Sequence, residues 1–190
     1  MQRDRERTSA GGIEEIVPGA WCWERRPRGL AQGGFGGRVS YAIAVDDVTL
    51  LIDPLVDGDK DPVLNTMDDL VETQVRILVT MPFHTRSAEA LWRRYRSAGA
   101  RIYGHPAVAS RLKDASGFAL VPGGGTIDNF ARMHVVGSPP RFEQPIEIPA
   151  YRALVFGDTV VETGQGELRV WEDALDPMAW VACCRVDLPG

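Results

Sequence analysis

The feature that most constrains the fold is a pair of β-branched-rich apolar runs joined by two acidic residues. Residues 39–45 and 48–52 flank Asp46 and Asp47, a spacing that is typical of a β-hairpin with a two-residue turn. Asp53 follows at once and precedes a proline, which has no amide hydrogen to donate to a sheet. The sequence therefore predicts a hairpin whose second strand ends at Asp53.

Helical and strand patterns alternate after the hairpin. Asp61 precedes a proline and is predicted to be the N-cap of a helix, and apolar residues recur at helical spacing over 63–71. Residues 76–80 form a short apolar strand, and Ser87 can cap the helix that follows. Another strand is predicted at 101–104. This alternation indicates βαβ units with partly parallel strand pairing.

The second half of the chain is richer in strand patterns, which are separated by glycine and proline clusters. The predicted strands are residues 119–121, 131–136, 144–148, 152–156 and 168–171, and a final helix is predicted at 178–185. Two halves of this kind favour an α/β (α+β) fold in which two sheets pack face to face with helices outside. We predict a disordered tail over residues 1–12 and a single domain over 13–190.

Composition narrows the class of protein. The chain has 190 residues, the length of one domain, and a formal net charge of -5, whereas nucleic-acid-binding proteins usually carry a basic excess. No apolar run reaches the roughly 20 residues that a membrane span needs. The three cysteines form no CxxC pair and the polar first residues are unlike a signal peptide. We expect a soluble cytoplasmic protein with no nucleic-acid or membrane partner.

Three local patterns allow more than one interpretation. The glycine-rich residues 33–37 could cradle a phosphate, but no helix follows them, so a flexible loop leading into a strand is favoured. The arginine-rich residues 25–28 and 93–96 stand out against the acidic balance of the chain. For each of these two stretches a solvated loop or helix face is favoured over a nucleic-acid site.

Four segments occur in a recognisable order. They are residues 17–21, residues 41–54 ending in Leu-Ile-Asp-Pro, residues 77–80, and residues 155–159 containing Gly-Asp-Thr. In this order, over about residues 14–175, they resemble the opening strand, the first hairpin, the strand before the metal-binding loop and a later strand end of the metallo-β-lactamase superfamily. The resemblance implies a four-layer αββα sandwich, incomplete at the C-terminus, with its site at one edge.

The resemblance also implies where metal ligands should lie. In the family a HxHxDH loop, a later histidine and the aspartate of Gly-Asp-Thr hold one or two metal ions, usually zinc. The corresponding residues here are Met81, Phe83, Thr85, Arg86, Ser138 and Asp158. Of these, Asp158 alone matches a family ligand, and a catalytic zinc site needs about three protein ligands. We therefore predict a degenerate site with no metal ion and no cofactor.

The three histidines do not coincide with family ligand positions. His84 lies at a spacer position of the loop and is the one loop residue that could still do chemistry, because histidine titrates near neutrality. It either anchors the loop through a hydrogen bond or acts as a general base or ligand contact. His105 and His134 are expected to have structural roles.

Charged residues near the expected site suggest a replacement for the metal ion. Asp53 matches a family aspartate that supports the site, although the proline after it favours a turn-forming role. A guanidinium at Arg86 could bind the carboxylate of Asp158 bidentately. We predict an Arg86–Asp158 ion pair in place of the metal; the alternative is that Arg86 faces solvent and Asp158 caps a loop.

Three function classes follow from this reading. The favoured one is a metal-free protein that binds a small ligand or a protein partner through the cleft that corresponds to the family's active site. The predicted cleft residues are Asp53, His84, Thr85, Arg86, Ser138 and Asp158. The alternative is an ester, lactone or thioester hydrolase with a non-standard site around His84 and Asp158. The third class is a structural or assembly role, and a homodimer is plausible. Zinc-hydroxide hydrolysis is not expected.

Overall fold

The computed structural model describes residues 12–25, 38–71, 74–121, 124–135, 142–162 and 168–170. The strands are β1 (Glu14–Val17), β2 (Ala20–Arg25), β3 (Arg38–Val45), β4 (Val48–Ile52), β5 (Gln74–Val79), β6 (Arg101–Gly104), β7 (Phe118–Leu120), β8 (Thr126–Ile127), β9 (Ala131–Met133), β10 (Ile146–Ile148), β11 (Ala153–Val155), β12 (Val160–Glu162) and β13 (Leu168–Val170). The α-helices are α1 (Val63–Leu70), α2 (Ala88–Arg94) and α3 (Pro106–Ala109), with 3₁₀ turns at Pro82–His84, Arg96–Ala98, Ala115–Gly117 and Pro149–Tyr151. None of the helices in these ranges is long and apolar enough to cross a membrane.

The first sheet contains the predicted hairpin and the predicted parallel strands. Its order is β1-β2-β3-β4-β5-β6-β7. Strands β3 and β4 pair antiparallel around Asp46 and Asp47, with Val45 opposite Val48, and Asp46 adopts the positive φ that such tight turns require. Strands β4 to β7 are parallel, so their carboxyl ends share one edge. Residues 17–21, which resemble an opening strand, lie in the β1–β2 hairpin.

Side chains of the first sheet alternate between two cores. Leu51 and Ile77 face one core, which includes the apolar sides of α1 and α2. Leu50, Ile52 and Leu78 face the other core, which includes the second sheet. Because successive strand residues point to opposite faces, each central strand contributes to both layers. Strands buried on both faces are expected to be apolar throughout, and β4 is fully buried.

The second sheet has the order β11-β10-β9-β8 and is antiparallel. Tyr151 fastens it to the first sheet, since its hydroxyl donates to the carbonyl of Ala44 at 2.9 Å. Gly19 lies under that hydroxyl with a φ of 83°, and a Cβ there would come within 2.2 Å of it. Two packed sheets with helices on the outer face of the first confirm the predicted mixed α/β sandwich.

Several predicted segments lie outside the described residues. They are residues 1–11 of the tail, the glycine-rich residues 33–37 and the final helix at 178–185. The second arginine-rich stretch is described and lies, as predicted, on a solvated surface. Its exposed arginines are Arg93, Arg94 and Arg96.

Arg25 corrects the interpretation of the first arginine-rich stretch. It is only 8% exposed, because its guanidinium forms a bidentate pair with the carboxylate of Asp61, with Nε–Oδ2 at 2.9 Å and Nη2–Oδ1 at 2.6 Å. Asp61 also accepts from the amides of Asp57 and Val63. Burial acts to raise the pKa of Asp61, but these hydrogen bonds lower it to about 2. A solvated role for Arg25 was wrong.

Ser87 corrects a second expectation. It precedes α2, but its side chain makes no capping hydrogen bond to that helix. Its Oγ instead accepts from the amide of Val56 at 3.0 Å, and its amide donates to the carbonyl of Pro54 at 3.2 Å. Ser87 therefore bonds backbone groups of the segment after β4 and connects that segment to the start of α2.

Candidate functional site

Two strand ends meet at the shared carboxyl edge of the first sheet. Asp53 follows β4, is 4% exposed and has a φ of 46°, a left-handed conformation that aspartate tolerates better than most residues. Its Oδ1 accepts from the amide of Thr80, the residue after β5, at 2.8 Å. Its Oδ2 accepts from the Thr80 hydroxyl. Asp53 therefore bends the chain after β4 and links the ends of two adjacent parallel strands.

His84 lies between two carboxylates. The Pro82–His84 turn places its ring in the interior, where it is 5% exposed. Its Nδ1 is 2.8 Å from Oδ2 of Asp53, and its Nε2 is 3.2 Å from Oδ1 of Asp158. The imidazole therefore bridges the end of a first-sheet strand and the loop after β11 in the second sheet. We call Asp53, His84 and Asp158 the bridged cluster.

The bridged cluster favours a protonated imidazole. An ionised carboxylate offers only hydrogen-bond acceptors, so each ring nitrogen of His84 needs a hydrogen to bond its partner. Burial acts to lower the pKa of His84, but the hydrogen bonds to Asp158 and Asp53 outweigh it and raise the pKa above its ordinary value. The nearby charge of Arg86 opposes this increase. The geometry and the raised pKa both favour a positive charge on the ring between the two carboxylates.

Glu143 holds the loop that carries Asp158. It is 2% exposed, and its carboxylate accepts from the amides of Gly157, Asp158 and Thr159 at 2.8, 3.1 and 2.9 Å. The Thr159 hydroxyl donates to it as well, at 2.6 Å. Gly157 allows the loop to approach β5, because a Cβ there would come within 2.6 Å of Oγ1 of Thr80. The position of Asp158 is therefore set by a buried carboxylate.

Sequence reasoning missed Glu143 and Thr80. The Gly-Asp-Thr segment was recognised, but Glu143 lies 15 residues before Asp158, outside any motif. A carboxylate just before a predicted strand looks like an ordinary surface residue. The one usable signal is that three consecutive loop amides next to a family ligand position need an acceptor, since backbone donors are rarely left unpaired inside a protein.

Of the other predicted site residues, two lie next to the bridged cluster and one is outside the described residues. Arg86 is half-buried, has a φ of 33° and donates from Nη1 to the carbonyl oxygen of Asp53 at 3.1 Å. Thr85 is half-buried beside it, whereas Ser138 lies outside the described residues. Asp158 contacts His84, and an Arg86–Asp158 ion pair stays a prediction.

The two remaining histidines make structural contacts. Nδ1 of His105 accepts from the amide of Ala107 at 3.1 Å and so caps α3. Burial lowers the pKa of His105. Nε2 of His134 lies 2.8 Å from Oε2 of Glu147 on the second sheet. Both contacts fit the structural roles expected from the sequence.

The donor set at this edge does not fit the metal ions of the resembled family. Met81 is fully buried and offers a neutral thioether, and Phe83 offers no donor. The carboxylate of Asp158 faces the imidazole of His84. In the part of the chain that the structure describes, no group of three or more histidine, cysteine, aspartate or glutamate side chains could hold a metal ion.

Comparisons place this geometry on a known fold. No sequence-family model and no curated protein matches the chain, but solved structures do. DIM-1 metallo-β-lactamase aligns at a TM-score of 0.61 with 16% identity over 80% of this chain and 71% of its own. The chain has the metallo-β-lactamase fold.

Two further structures agree. TMB-1 aligns at a TM-score of 0.60 with 15% identity, covering 80% of this chain and 71% of that one. The metallo-β-lactamase IND-7 aligns at 0.56 with 16% identity, covering 82% and 74%. At these identities the likeness establishes the metallo-β-lactamase fold and says nothing about activity.

Proposed function

We propose that this chain is a metal-free protein of the metallo-β-lactamase fold that binds a small ligand through its carboxyl-edge cleft, without zinc-hydroxide hydrolysis. The bridged cluster carries the proposal. Asp158 is the one family ligand position that the sequence retains, and its carboxylate is engaged by His84 at 3.2 Å. A metal ion bound through that oxygen would have to compete with the imidazole for it.

The charge balance of the cleft supports the same proposal. Two carboxylates that are largely removed from water need a compensating positive charge, because an unpaired buried charge is strongly destabilising. A protonated His84 supplies that charge together with two N–H donors. Thr85 and Arg86, half-buried and next to His84 in the chain, are polar groups that a ligand in the cleft would meet.

Zinc binding tests the proposal directly. The purified chain is incubated with zinc, dialysed and analysed for bound metal, and its thermal unfolding is compared with and without zinc and chelator. A site filled at about 100 times its Kd would stabilise the chain by about 2.7 kcal/mol, and we expect no such shift. Stoichiometric zinc that is lost in Asp158→Ala would overturn the proposal.

A matched gain-of-function variant strengthens this test. Restoring family donors with Met81→His, Phe83→His, Thr85→Asp and Arg86→His, together with His84→Ala to free Asp158, supplies the ligands that zinc prefers. We expect this variant to bind zinc where the natural chain does not. Equal zinc binding by both chains would contradict the proposed loss of the site.

A second candidate is a hydrolase with a non-standard site, and the His84–Asp158 contact favours it. A histidine next to a carboxylate is the usual composition of a general base. Against it, both ring nitrogens of His84 face carboxylates, so neither is left to take a proton from water. We expect no turnover of ester, lactone or thioester substrates with or without added metal. Turnover that His84→Gln abolishes would favour the hydrolase.

A further inference from the structure

Two exposed aromatic rings lie beside α3, at the same edge as the bridged cluster. Phe83 is 57% exposed and Phe142 is 50% exposed. Phe83 belongs to the turn after β5, and Phe142 lies two residues before Gln144, whose amide donates to the carbonyl of Thr80 at 2.7 Å. Both rings therefore lie near the carboxyl ends of the parallel strands, where ligands bind in open α/β sheets.

Each of these rings has one face covered by a nitrogen-containing group. The guanidinium of Arg111 lies 4.6 Å from the centroid of Phe83. The ring of His105 stacks on Phe142 with centroids 4.6 Å apart and an interplanar angle of 18°. His105 precedes α3 and Arg111 follows it, and α3 packs against the Pro82–His84 turn. Since α3 is only about 6 Å long, the two pairs belong to one surface.

The backbone of Phe142 is strained although its side chain is not buried. Its φ of 55° lies in the left-handed region, which bulky residues rarely adopt. Such strain persists only where the surrounding structure imposes it, and it concentrates at functional sites. Burial of the ring does not account for it, because half of the side chain is exposed.

Arg111 has unused donors next to these rings. A guanidinium stacked on an aromatic face keeps the N–H groups in its own plane free to bind an acceptor. Across the residues that the structure describes, the Arg111 guanidinium has the Phe83 ring as its contact and no hydrogen bond or ion pair. Nearby Glu89 is engaged by Arg93 and by the amide of Lys113. Among the described residues of this surface, the guanidinium of Arg111 is therefore a positive charge with no carboxylate bonded to it.

We propose that Phe83, Phe142 and Arg111 bind a small planar aromatic carboxylate. Its ring would stack on an open face of the phenylalanines at the centroid distance of about 4.5–7 Å that aromatic pairs prefer. Its carboxylate would accept two parallel hydrogen bonds from Arg111, the geometry that a guanidinium fork matches. One free guanidinium suits a monoanion. This inference rests on the proposed function, because it names the ligand class of that cleft.

Titration calorimetry of the full chain with 2-naphthoate tests the ligand class, with 2-naphthamide as the neutral isostere and cyclohexanecarboxylate as the non-aromatic acid. We expect saturable binding of 2-naphthoate. Binding should be about tenfold or more weaker for 2-naphthamide, which lacks the charge that Arg111 would pair with, and for cyclohexanecarboxylate, which lacks a ring that can stack. No saturable binding of 2-naphthoate, or equal binding of acid and amide, would overturn the inference.

Variants locate the binding surface. Arg111→Gln should weaken 2-naphthoate about tenfold while leaving 2-naphthamide unchanged, since only the acid needs the charge. Phe142→Ala should weaken both compounds. Arg101→Gln is the matched control, because Arg101 is an exposed arginine at the amino end of β6, and it should bind as the natural chain does. An unchanged affinity in Arg111→Gln would place the ligand elsewhere.

These outcomes are separable from failure of the proposed function. If zinc binds stoichiometrically through Asp158, the metal-free function is wrong whatever the calorimetry shows. If zinc does not bind and 2-naphthoate does not bind either, the ligand class alone is wrong.

Discussion

Two buried ionic clusters of this protein both pair a positive side chain with carboxylates, but they differ in whether that positive charge can be lost. Arg25 and Asp61 form a bidentate pair that connects the end of β2 to the start of α1. The bridged cluster of Asp53, His84 and Asp158 connects the first sheet to the loop after β11. The guanidinium is charged at every accessible pH, whereas the imidazole can lose its charge.

The difference shows which cluster can be tied to function. The carboxylate of Asp61 is saturated by Arg25 and two backbone amides, so that pair acts as a structural clamp. The bridged cluster lies at the carboxyl edge of the parallel strands, where ligands bind in open α/β sheets, and its charge depends on one titratable ring. Buried ion pairs are weak evidence for net stability but are costly to break from one side. Breaking each cluster in turn therefore separates the two roles.

The largest expected loss of stability comes from breaking the Arg25–Asp61 pair. Arg25→Met removes the guanidinium and leaves the carboxylate of Asp61 buried, so we expect a loss of about 3–5 kcal/mol in the free energy of unfolding at neutral pH, measured with urea. Arg25→Met with Asp61→Leu removes both charges and should recover part of that loss. A single-variant loss below about 1 kcal/mol would show that the pair is solvated after all.

Glu143→Gln is expected to have the next largest effect. The amide retains one acceptor oxygen for the donors of Gly157, Asp158 and Thr159, so we expect a loss of about 2–3 kcal/mol in the free energy of unfolding. Hydrogen exchange of those three amides should accelerate with it. Glu147→Gln, on the more exposed face of β10, is the control and should change stability little. Unchanged exchange in Glu143→Gln would contradict the role assigned to that carboxylate.

His84→Gln is expected to cost about 2 kcal/mol in mildly acidic solution, with a dependence on pH. The folded-state pKa of His84 is raised, so its charge stabilises the fold fully below the unfolded pKa of about 6.5, and this contribution disappears as pH rises through the folded value. Asp53, Asp158 and Arg86 are the charged groups that face the ring. Unfolding of both chains between about pH 6 and pH 9 measures the effect.

The expected sign gives this experiment a clear negative outcome. The stability difference between the natural chain and His84→Gln should shrink as pH rises. A difference that stays constant would mean that the folded and unfolded states hold the His84 proton equally well, and one that grows with pH would mean that His84 is neutral in the folded protein. Nitrogen-15 NMR of the imidazole at mildly acidic pH provides an independent readout, because both ring nitrogens should carry a hydrogen.

The smallest loss of stability is expected for an exposed ion pair, which serves as the reference for the buried pairs. Arg94 donates from Nε to Oδ1 of Asp68 at 2.9 Å, and the hydroxyl of Tyr95 donates to the same oxygen. Both charged side chains are exposed, so Arg94→Met should cost less than about 1 kcal/mol and less still at high salt. A loss comparable to that of Arg25→Met would undo the distinction between buried and exposed pairs.

The site was only partly predictable from the sequence. The family resemblance drew attention to His84, Asp53 and Asp158, which the structure brings together, but the contact of His84 with Asp158 was not among the predicted pairs. Glu143 was not considered. The sequence marks which residues could carry charge, but it does not fix which of them share a partner across strands that lie far apart in the chain.

Local patterns determined much of the fold. The acidic pair Asp46–Asp47 fixed the β3–β4 turn because its geometry depends on two residues. The aspartate-proline step ended β4 at Asp53, and the apolar runs located β5 and β6. Each of these features depends on neighbours a few residues away, which the sequence displays directly. The residues at the positions that correspond to family ligands could also be read directly, since they depend on residue identity alone.

Tertiary structure decided the pairings. Arg25 meets Asp61 across 36 residues and His84 meets Asp53 across 31. Strand order and register bring such pairs together, and those are set by burial of whole faces rather than by any short segment. A buried charge must find an opposite charge to avoid a large desolvation penalty, but which partner it finds depends on the folded chain.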